Sequence, residues 1–262
     1  MQPTLEEITN WSREAGEILR KGFGQAHRVT HKSVIDLVTE MDQQAEDFLL
    51  GKIKGKYPGH SILSEEIGSI AGDADCQWYV DPLDGTVNYA HGIPIFCISI
   101  AYSDHGQLTQ AVINSPMMGE IFTAERGRGA FLNGQRLHVS TTTDLIQSLL
   151  VTGFPYDVQT SKRNNLDHFE HFMKRSQGVR RFGSAAIDLA YVAAGRFEGY
   201  WELGIKPWDI AAGVLLVEEA GGIVTDLAGG KNYFTPPYAL IAANPALHPI
   251  ILGQLSKNIA PS

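Results

Sequence analysis

The 262-residue chain has little cysteine: only Cys76 and Cys97. Each lies beside apolar residues in a strand-like run, so two buried free thiols are expected rather than a disulfide. No Cys-x-x-Cys is present, which leaves a zinc site without support. No run approaches the ~20 apolar residues of a membrane-spanning helix. The opening residues Met1-Gln2-Pro3-Thr4-Leu5-Glu6-Glu7 lack the basic region and apolar stretch of a signal peptide, and a cytoplasmic protein is expected. Positive charge is also scarce. Lys and Arg number 21 against 29 Asp and Glu, a formal net charge of −8. That balance does not suit non-specific nucleic-acid binding or an anionic membrane. It also repels phosphorylated ligands, so such a ligand needs positive charge at its site, which a bound metal would supply.

What is present reads as an ordinary globular protein, with 44% apolar and 19% charged residues, so disorder is not expected to dominate. Thr4-x-x-Glu7 is a capping box. Leu5, Ile8, Ala15, Ile18 and Leu19 then follow helical spacing until Gly22 to Gly24. A second helix is expected from Met41 to Tyr57, ended by Pro58-Gly59, with a loop or hairpin over residues 25–40. From Ser61 the texture changes to strands: Ser61–Ser64, Gln77–Val80, Phe96–Tyr102, Leu108–Asn114 and Glu120–Ala124. His105-Gly106 and Asn133-Gly134 are turn signals, so an antiparallel meander is expected. The second half mixes strands (Leu149–Thr152, Phe197–Glu202, Ile223–Asp226, Leu240–Ala243) with helices at Asn165–Ser176, Ser184–Ala194, Asp209–Ala220 and after Pro245. These patterns imply an α+β lobe over residues 1–140 and an α/β lobe over residues 141–262, which without a flexible linker form one compact unit.

Acidic residues carry the candidate chemistry. In Tyr79-Val80-Asp81-Pro82-Leu83-Asp84-Gly85-Thr86 an apolar strand runs into Asp81. Pro82 cannot continue a ladder, so the strand is expected to end there, with Asp84-Gly85-Thr86 as a tight turn. Two carboxylates so placed can converge, and like charges that close repel unless a cation lies between them. Oxygen ligands select Mg²⁺ or Mn²⁺ over zinc. Asp is equally a common turn former, and on this segment alone the two readings are even. Glu65, in Ser64-Glu65-Glu66, is either a ligand or a solvated loop acid. Asp209 opens an apolar helix as either a cap or a ligand, and Asp42 poses the same choice. Their combination favours a site, because Glu65, Asp81, Asp84 and Asp209 each end an otherwise apolar element.

The stretch Asp81-Pro82-Leu83-Asp84-Gly85-Thr86-Val87-Asn88-Tyr89 resembles the first signature of the inositol monophosphatase family. Trp208-Asp209-Ile210-Ala211-Ala212-Gly213 resembles its second. Asp36-Leu37-Val38-Thr39-Glu40-Met41-Asp42, Ser64-Glu65-Glu66 and Gly183-Ser184-Ala185-Ala186 match further stretches in the family's order. The resemblance implies a layered α-β-α-β-α sandwich of the sugar-phosphatase type and lithium-sensitive, Mg²⁺-dependent hydrolysis with two or three ions, Mn²⁺ being an alternative. Carried over by motif, Glu65, Asp81 and the Leu83 carbonyl hold one ion, and Asp81, Asp84 and Asp209 a second, while Glu65 faces a weaker third. Asp42 and Thr86 match the pair that activates the attacking water. The Gly85 and Thr86 amides meet the phosphate. Gly183, Ser184 and Ala185 line the alcohol pocket, and Glu202 and Asp209 face the substrate.

Two departures are Ser64, where many members have Gly, and Val87, where many have Thr. The segment after Lys32 is about one residue shorter than in animal members. Lys206-Pro207-Trp208-Asp209 and Arg180-Arg181 look like the bacterial branch, which includes proteins of broad specificity. Lys32, Lys206 and Arg181 are candidates to add positive charge, each with an ordinary solvated or structural role as the alternative. His91 is expected at the surface or behind the site. The implied substrate is inositol 1-phosphate or a related sugar or polyol phosphate. Fructose 1,6-bisphosphate, histidinol phosphate, NADP and 3′-phosphoadenosine nucleotides are alternatives. A homodimer is implied. Some bacterial relatives bind RNA polymerase and aid antitermination, so a regulatory binding protein is the rival expectation.

Overall fold

Helical spacing of Ile8, Trp11, Ala15 and Leu19 gives the first helix, α1 (Leu5–Gly22), one buried face. Thr4 caps it: the Thr4 amide donates to Glu7 Oε2 and the Glu7 amide to Thr4 Oγ1, each at 3.2 Å. The computed structural model describes residues 2–25, 29–31 and 37–256. Lys32 and Asp36 lie outside them. The segment expected as loop or hairpin contains β1 (Val29–His31) and β2 (Leu37–Thr39), paired antiparallel. Then come α2 (Glu40–Lys56), β3 (His60–Ser64), β4 (Gly68–Ile70), β5 (Asp73–Asp84) and the short helix α3 (Thr86–Ala90). The meander follows as β6 (Cys97–Asp104), β7 (Gln107–Ser115), β8 (Glu120–Glu125), β9 (Gly129–Leu132) and β10 (Gln135–Arg136). The remainder is β11 (Leu149–Thr152), α4 (Leu166–Met173), β12 (Gly178–Arg180), α5 (Ala185–Ala193) and β13 (Gly199–Leu203). It closes with α6 (Pro207–Glu219), β14 (Ile223–Thr225), β15 (Ala239–Ala243) and α7 (His248–Leu255).

Eight strands form one sheet in the order β10-β9-β8-β7-β6-β5-β3-β4, antiparallel except for the parallel pair β3–β5. Five form a second sheet in the order β12-β11-β13-β15-β14. Helices α1 and α2 cover one face of the large sheet, and α5 and α6 fill the space between the sheets. Helices α4 and α7 cover the far face of the small sheet. The layers are therefore helix, sheet, helix, sheet, helix. Coverage on both faces explains the unbroken apolar run of β6: Ile98, Ile100 and Tyr102 enter the core beneath α1 and α2, while Cys97 and Ala101 enter the middle core. For the same reason α6 is apolar all round, with Val214, Leu215, Leu216 and Val217 fully buried. Both cysteines are free. Among the described residues no helix is long and apolar enough to cross a membrane.

One local expectation is corrected. The strand does not stop at Pro82 but continues to Asp84. Its register with β6 pairs Asp81 with Ser99 and Asp84 with Cys97, three steps on one strand against two on the other. Pro82 and Leu83 form a bulge, where the missing Pro amide costs no ladder bond.

Candidate active site

The bulge decides how the first two acids are presented. In a regular strand, residues three apart point to opposite faces. The extra residue in β5 offsets that alternation, and Asp81 and Asp84 both line one cavity of about 250 Å³. Glu65, just past the end of β3, joins them because its amide donates to the Val80 carbonyl at 3.2 Å, continuing the β3–β5 pairing. Asp209, in the first turn of α6, lines the same cavity, and its Oδ2 accepts the Lys206 amide at 3.0 Å. It therefore caps the helix and faces the cavity at once. Leu83, Gly85, Thr86, Gly183, Ser184, Ala185 and Glu202 also line the cavity; of the expected positions Asp42 does not, and it reaches the site only through Thr86. His91 is exposed and lies off it.

Gly85 makes the turn out of β5. It has φ 96°, the left-handed region, and a Cβ there would stand 2.9 Å from the Ile95 carbonyl oxygen. Beyond it, Thr86 Oγ1 lies 3.0 Å from Asp42 Oδ1 and 2.9 Å from the Leu83 carbonyl oxygen, so one hydroxyl proton serves two acceptors. Asp42 is fully buried at the start of α2, where its Oδ2 accepts the Thr39 amide at 2.8 Å and the Thr39 hydroxyl at 2.5 Å. Burial raises the Asp42 carboxyl, and these hydrogen bonds oppose the rise.

The acids strain against one another. Burial first, then the charges of Glu65, Asp84 and Asp209, push the Asp81 carboxyl well up. Burial and the charges of Asp84 and Glu65 do the same to Asp209. Burial raises Asp84 to about 6, against hydrogen bonds from the Ser184 hydroxyl and the Ala186 amide to its Oδ2, both 2.7 Å. A bound cation would relieve this cost by offsetting both repulsion and lost hydration. Among the described residues no three His, Cys, Asp or Glu side chains already surround one point closely enough to enclose an ion. Glu65, Asp81, Asp84 and Asp209 line one cavity. The donors there are oxygens, which fit Mg²⁺ or Mn²⁺. Cys97 Sγ lies 3.9 Å from Asp84 Oδ2, but burial and the Asp84 charge push its thiol well up, so it stays neutral.

At the other end stands Glu202 on β13. Its Oε2 accepts the Tyr200 hydroxyl at 2.6 Å, and burial raises it to about 7. A Cβ at Gly153 would lie 2.0 Å from that same oxygen, so any larger residue there would push this carboxylate from its place. Arg181 and Lys206 also line the cavity, their cationic groups 5.9 Å and 5.1 Å from the ring centres of Phe154 and Tyr238.

Three contributors escaped the sequence reading. Gly153 is one. Glu46 is the second: buried on α2, its Oε1 accepts the Ser64 hydroxyl at 2.5 Å and the amides of Glu66 and Ile67 at 3.1 Å each. It grips the chain on both sides of Glu65, using the hydroxyl by which Ser64 departs from glycine. Its spacing of four from Asp42, on one helix face, was the available signal. Asp188 is the third, a lone acid inside the apolar pattern of α5 that lines the cavity.

A five-layer sandwich with carboxylates gathered at strand ends and helix starts defines the class: a sugar-phosphatase fold. Within it, the chain belongs to the inositol monophosphatase family, whose pattern it matches over residues 1–260. It is 42% identical over 269 residues to a Pseudomonas aeruginosa protein named Nus factor SuhB, covering 100% of this chain and 99% of that one. It is 41% identical over 259 residues to an inositol-1-monophosphatase of Mesorhizobium japonicum, covering 98% and 97%. The crystal structure of the extragenic suppressor protein suhB from Bartonella henselae superposes with a TM-score of 0.89 at 39% identity, covering 96% of this chain and 98% of that one. The family is one of phosphatases that generally depend on a metal.

Proposed function

We propose that the protein is a Mg²⁺-dependent phosphomonoester hydrolase acting on inositol 1-phosphate or a related sugar or polyol phosphate. One observation carries this reading: Glu65, Asp81, Asp84 and Asp209, from three separate elements, line one cavity with phosphate-sized room beside them. Glu65, Asp81, the Leu83 carbonyl, Asp84 and Asp209 would hold the ions, two or three in number. When bound, Mg²⁺ neutralises charge at phosphate oxygens and lowers the pKa of water. The chain's own groups do the rest. The Thr86 hydroxyl, donating toward Asp42 Oδ1, accepts a hydrogen bond from the attacking water and orients it in line. Asp42, raised by burial, is placed to take up the proton through that hydroxyl. The amides of Gly85 and Thr86 face the phosphate, with Arg181 and Lys206 adding positive charge. Gly183, Ser184 and Ala185 form the wall against the leaving alcohol, and Glu202 accepts one of its hydroxyls. In this reading residues 1–140 supply most of the ion-binding acids and residues 141–262 close over the alcohol; the enzyme is a cytoplasmic homodimer.

The test is phosphate release from inositol 1-phosphate, fructose 1,6-bisphosphate, histidinol phosphate and NADP, with Mg²⁺ and with EDTA. Release that requires Mg²⁺, falls with Li⁺ and favours inositol 1-phosphate is expected. Full activity in EDTA defeats the reading. A second reading is favoured by the relatives named Nus factor SuhB: the chain also binds RNA polymerase as a regulator. A stable complex recovered with the tagged chain from cell extract supports it, and a polymerase-free eluate opposes it.

A further inference from the structure

Asn165 breaks two local rules at once, and neither departure helps α4, the helix it precedes. It is a non-glycine residue in the left-handed region, with φ 69°. It also stands at the cap of α4, where an asparagine side chain commonly accepts a first-turn amide, yet it makes no such bond. The Leu166 amide goes to Asn164 Oδ1 instead, at 3.1 Å. Strained residues of this kind persist only where their surroundings hold them, and they gather where geometry matters. The Asn165 side chain is buried and turned to the end of β11. Its Nδ2 donates to the Gly153 carbonyl at 2.6 Å and to Thr152 Oγ1 at 2.9 Å. Its Oδ1 accepts the Trp201 indole N–H at 2.7 Å. An indole only donates and a carbonyl only accepts, so the group between them must carry an acceptor and donors side by side, as an amide does. Thr152 closes the ring by donating to the Trp201 carbonyl.

The groups held this way flank Glu202. The pairing of β11 with β13 ends at Thr152 and Trp201, so Gly153 lies one residue beyond the ladder. The 2.0 Å approach that a Gly153 Cβ would make to Glu202 Oε2 shows that the carboxylate rests directly on this glycine. Trp201 precedes Glu202 on β13 and points the opposite way, into the outer core against Phe172. Asn165 itself does not line the cavity. We propose that Asn165 is a positioning residue that, from outside the cavity, holds Gly153 and β13 in place and so fixes where the Glu202 carboxylate meets the substrate. The proposal rests on the phosphatase reading and on the contact given there to Glu202.

Asn165→Gly isolates the side chain, because glycine adopts this backbone without strain. In the full chain with Mg²⁺, kcat/KM for inositol 1-phosphate should fall about 10-fold, most of it in KM. In a Glu202→Ala background the same change should cost less than about 2-fold, because the group it positions is gone. Equal losses in both backgrounds mean a general loosening and overturn the proposal. Circular dichroism establishes folding. Asn165→Asp, which keeps the acceptor for Trp201 but offers Gly153 no amide donor, replaces the glycine variant if that form does not fold. A second readout needs no turnover: titration of the Glu202 carboxyl by NMR in the metal-free chain. It should move from about 7 in the wild type down toward 4.5 in the variant, as water reaches a loosened carboxylate. An unmoved titration overturns the proposal. A wild type that releases no phosphate defeats the phosphatase reading, and the titration then decides by itself whether Asn165 holds Glu202.

Discussion

The acids of α2, which stand behind the cavity's lining, and those around α5 and β13 differ in how far their oxygens are engaged. On α2, both Asp42 oxygens take hydrogen bonds and Glu46 takes three on one oxygen. At the other end, Asp188 Oδ1 takes none and Glu202 takes one from Tyr200. Burial is equally deep in both places, so burial alone does not mark a binding group. The partnered acids hold backbone and neighbours in position, whereas Asp188 Oδ1 is closed off from solvent with no donor beside it. Asp84 joins the two kinds: one oxygen is engaged by α5 while the residue still faces the cavity.

The sharpest break of this contrast is Asp84→Asn. The amide oxygen can still accept from Ser184 and Ala186, so the fold should survive by circular dichroism. Phosphate release should fall by more than about 1,000-fold, equivalent to over ~4 kcal/mol in the barrier. Near-normal release would remove Asp84 from the ion-binding set. Next in size is Glu46→Ala, which strips the acceptor from the Ser64 hydroxyl and two amides. Urea unfolding should show a loss of roughly 2–3 kcal/mol. Calorimetric titration with Mg²⁺ should show weaker binding, because the chain around Glu65 loosens. Glu46→Gln keeps an acceptor and should lose much less of both; equal losses in the two variants would deny Glu46 its positioning role.

The smallest effect concerns Glu202 and has the opposite sign. Its carboxyl titrates near 4.5 when unfolded and at about 7 in the fold. Between those values the folded chain holds more protons than the unfolded one, so this group's contribution falls as pH rises through the window and stays low above it. Glu202→Gln removes the loss while keeping an acceptor for Tyr200. Thermal unfolding should therefore show no gain at pH 4.5 and about 1–2 kcal/mol at pH 8, once the new amide is counted. A gain that is the same at both pH values would contradict the titration.

The sequence announced the acids because each interrupts an apolar pattern at an element end, and pattern breaks are local. Asp81, Asp84, Glu65 and Asp209 were legible for that reason, as were the meander turns and the apolar helix of Asp209. The bulge was not. Proline looked like a strand stop, whereas the register that absorbs it is set by β6, a partner the segment does not reveal. Gly153 was illegible for a similar reason. It has an ordinary negative φ, and its requirement comes from Glu202, 49 residues later. Glu46 and Asp188 lay in open view as acids at helical spacing. Which oxygens are satisfied depends on donors from other elements, and no periodicity shows that.

The bulge between Asp81 and Asp84 makes chain length there matter as well as composition. The Leu83 side chain packs into the core beneath α1 and α2, while what the pair contributes to the strand geometry is one added step against β6. Deleting either residue would close the bulge and leave the two aspartates two positions apart, still on one face by ordinary alternation, but the Leu83 carbonyl that accepts the Thr86 hydroxyl would lose its place. A redesigned chain could therefore keep both acids together with one residue fewer, yet would lose the anchor that the looped-out carbonyl gives Thr86.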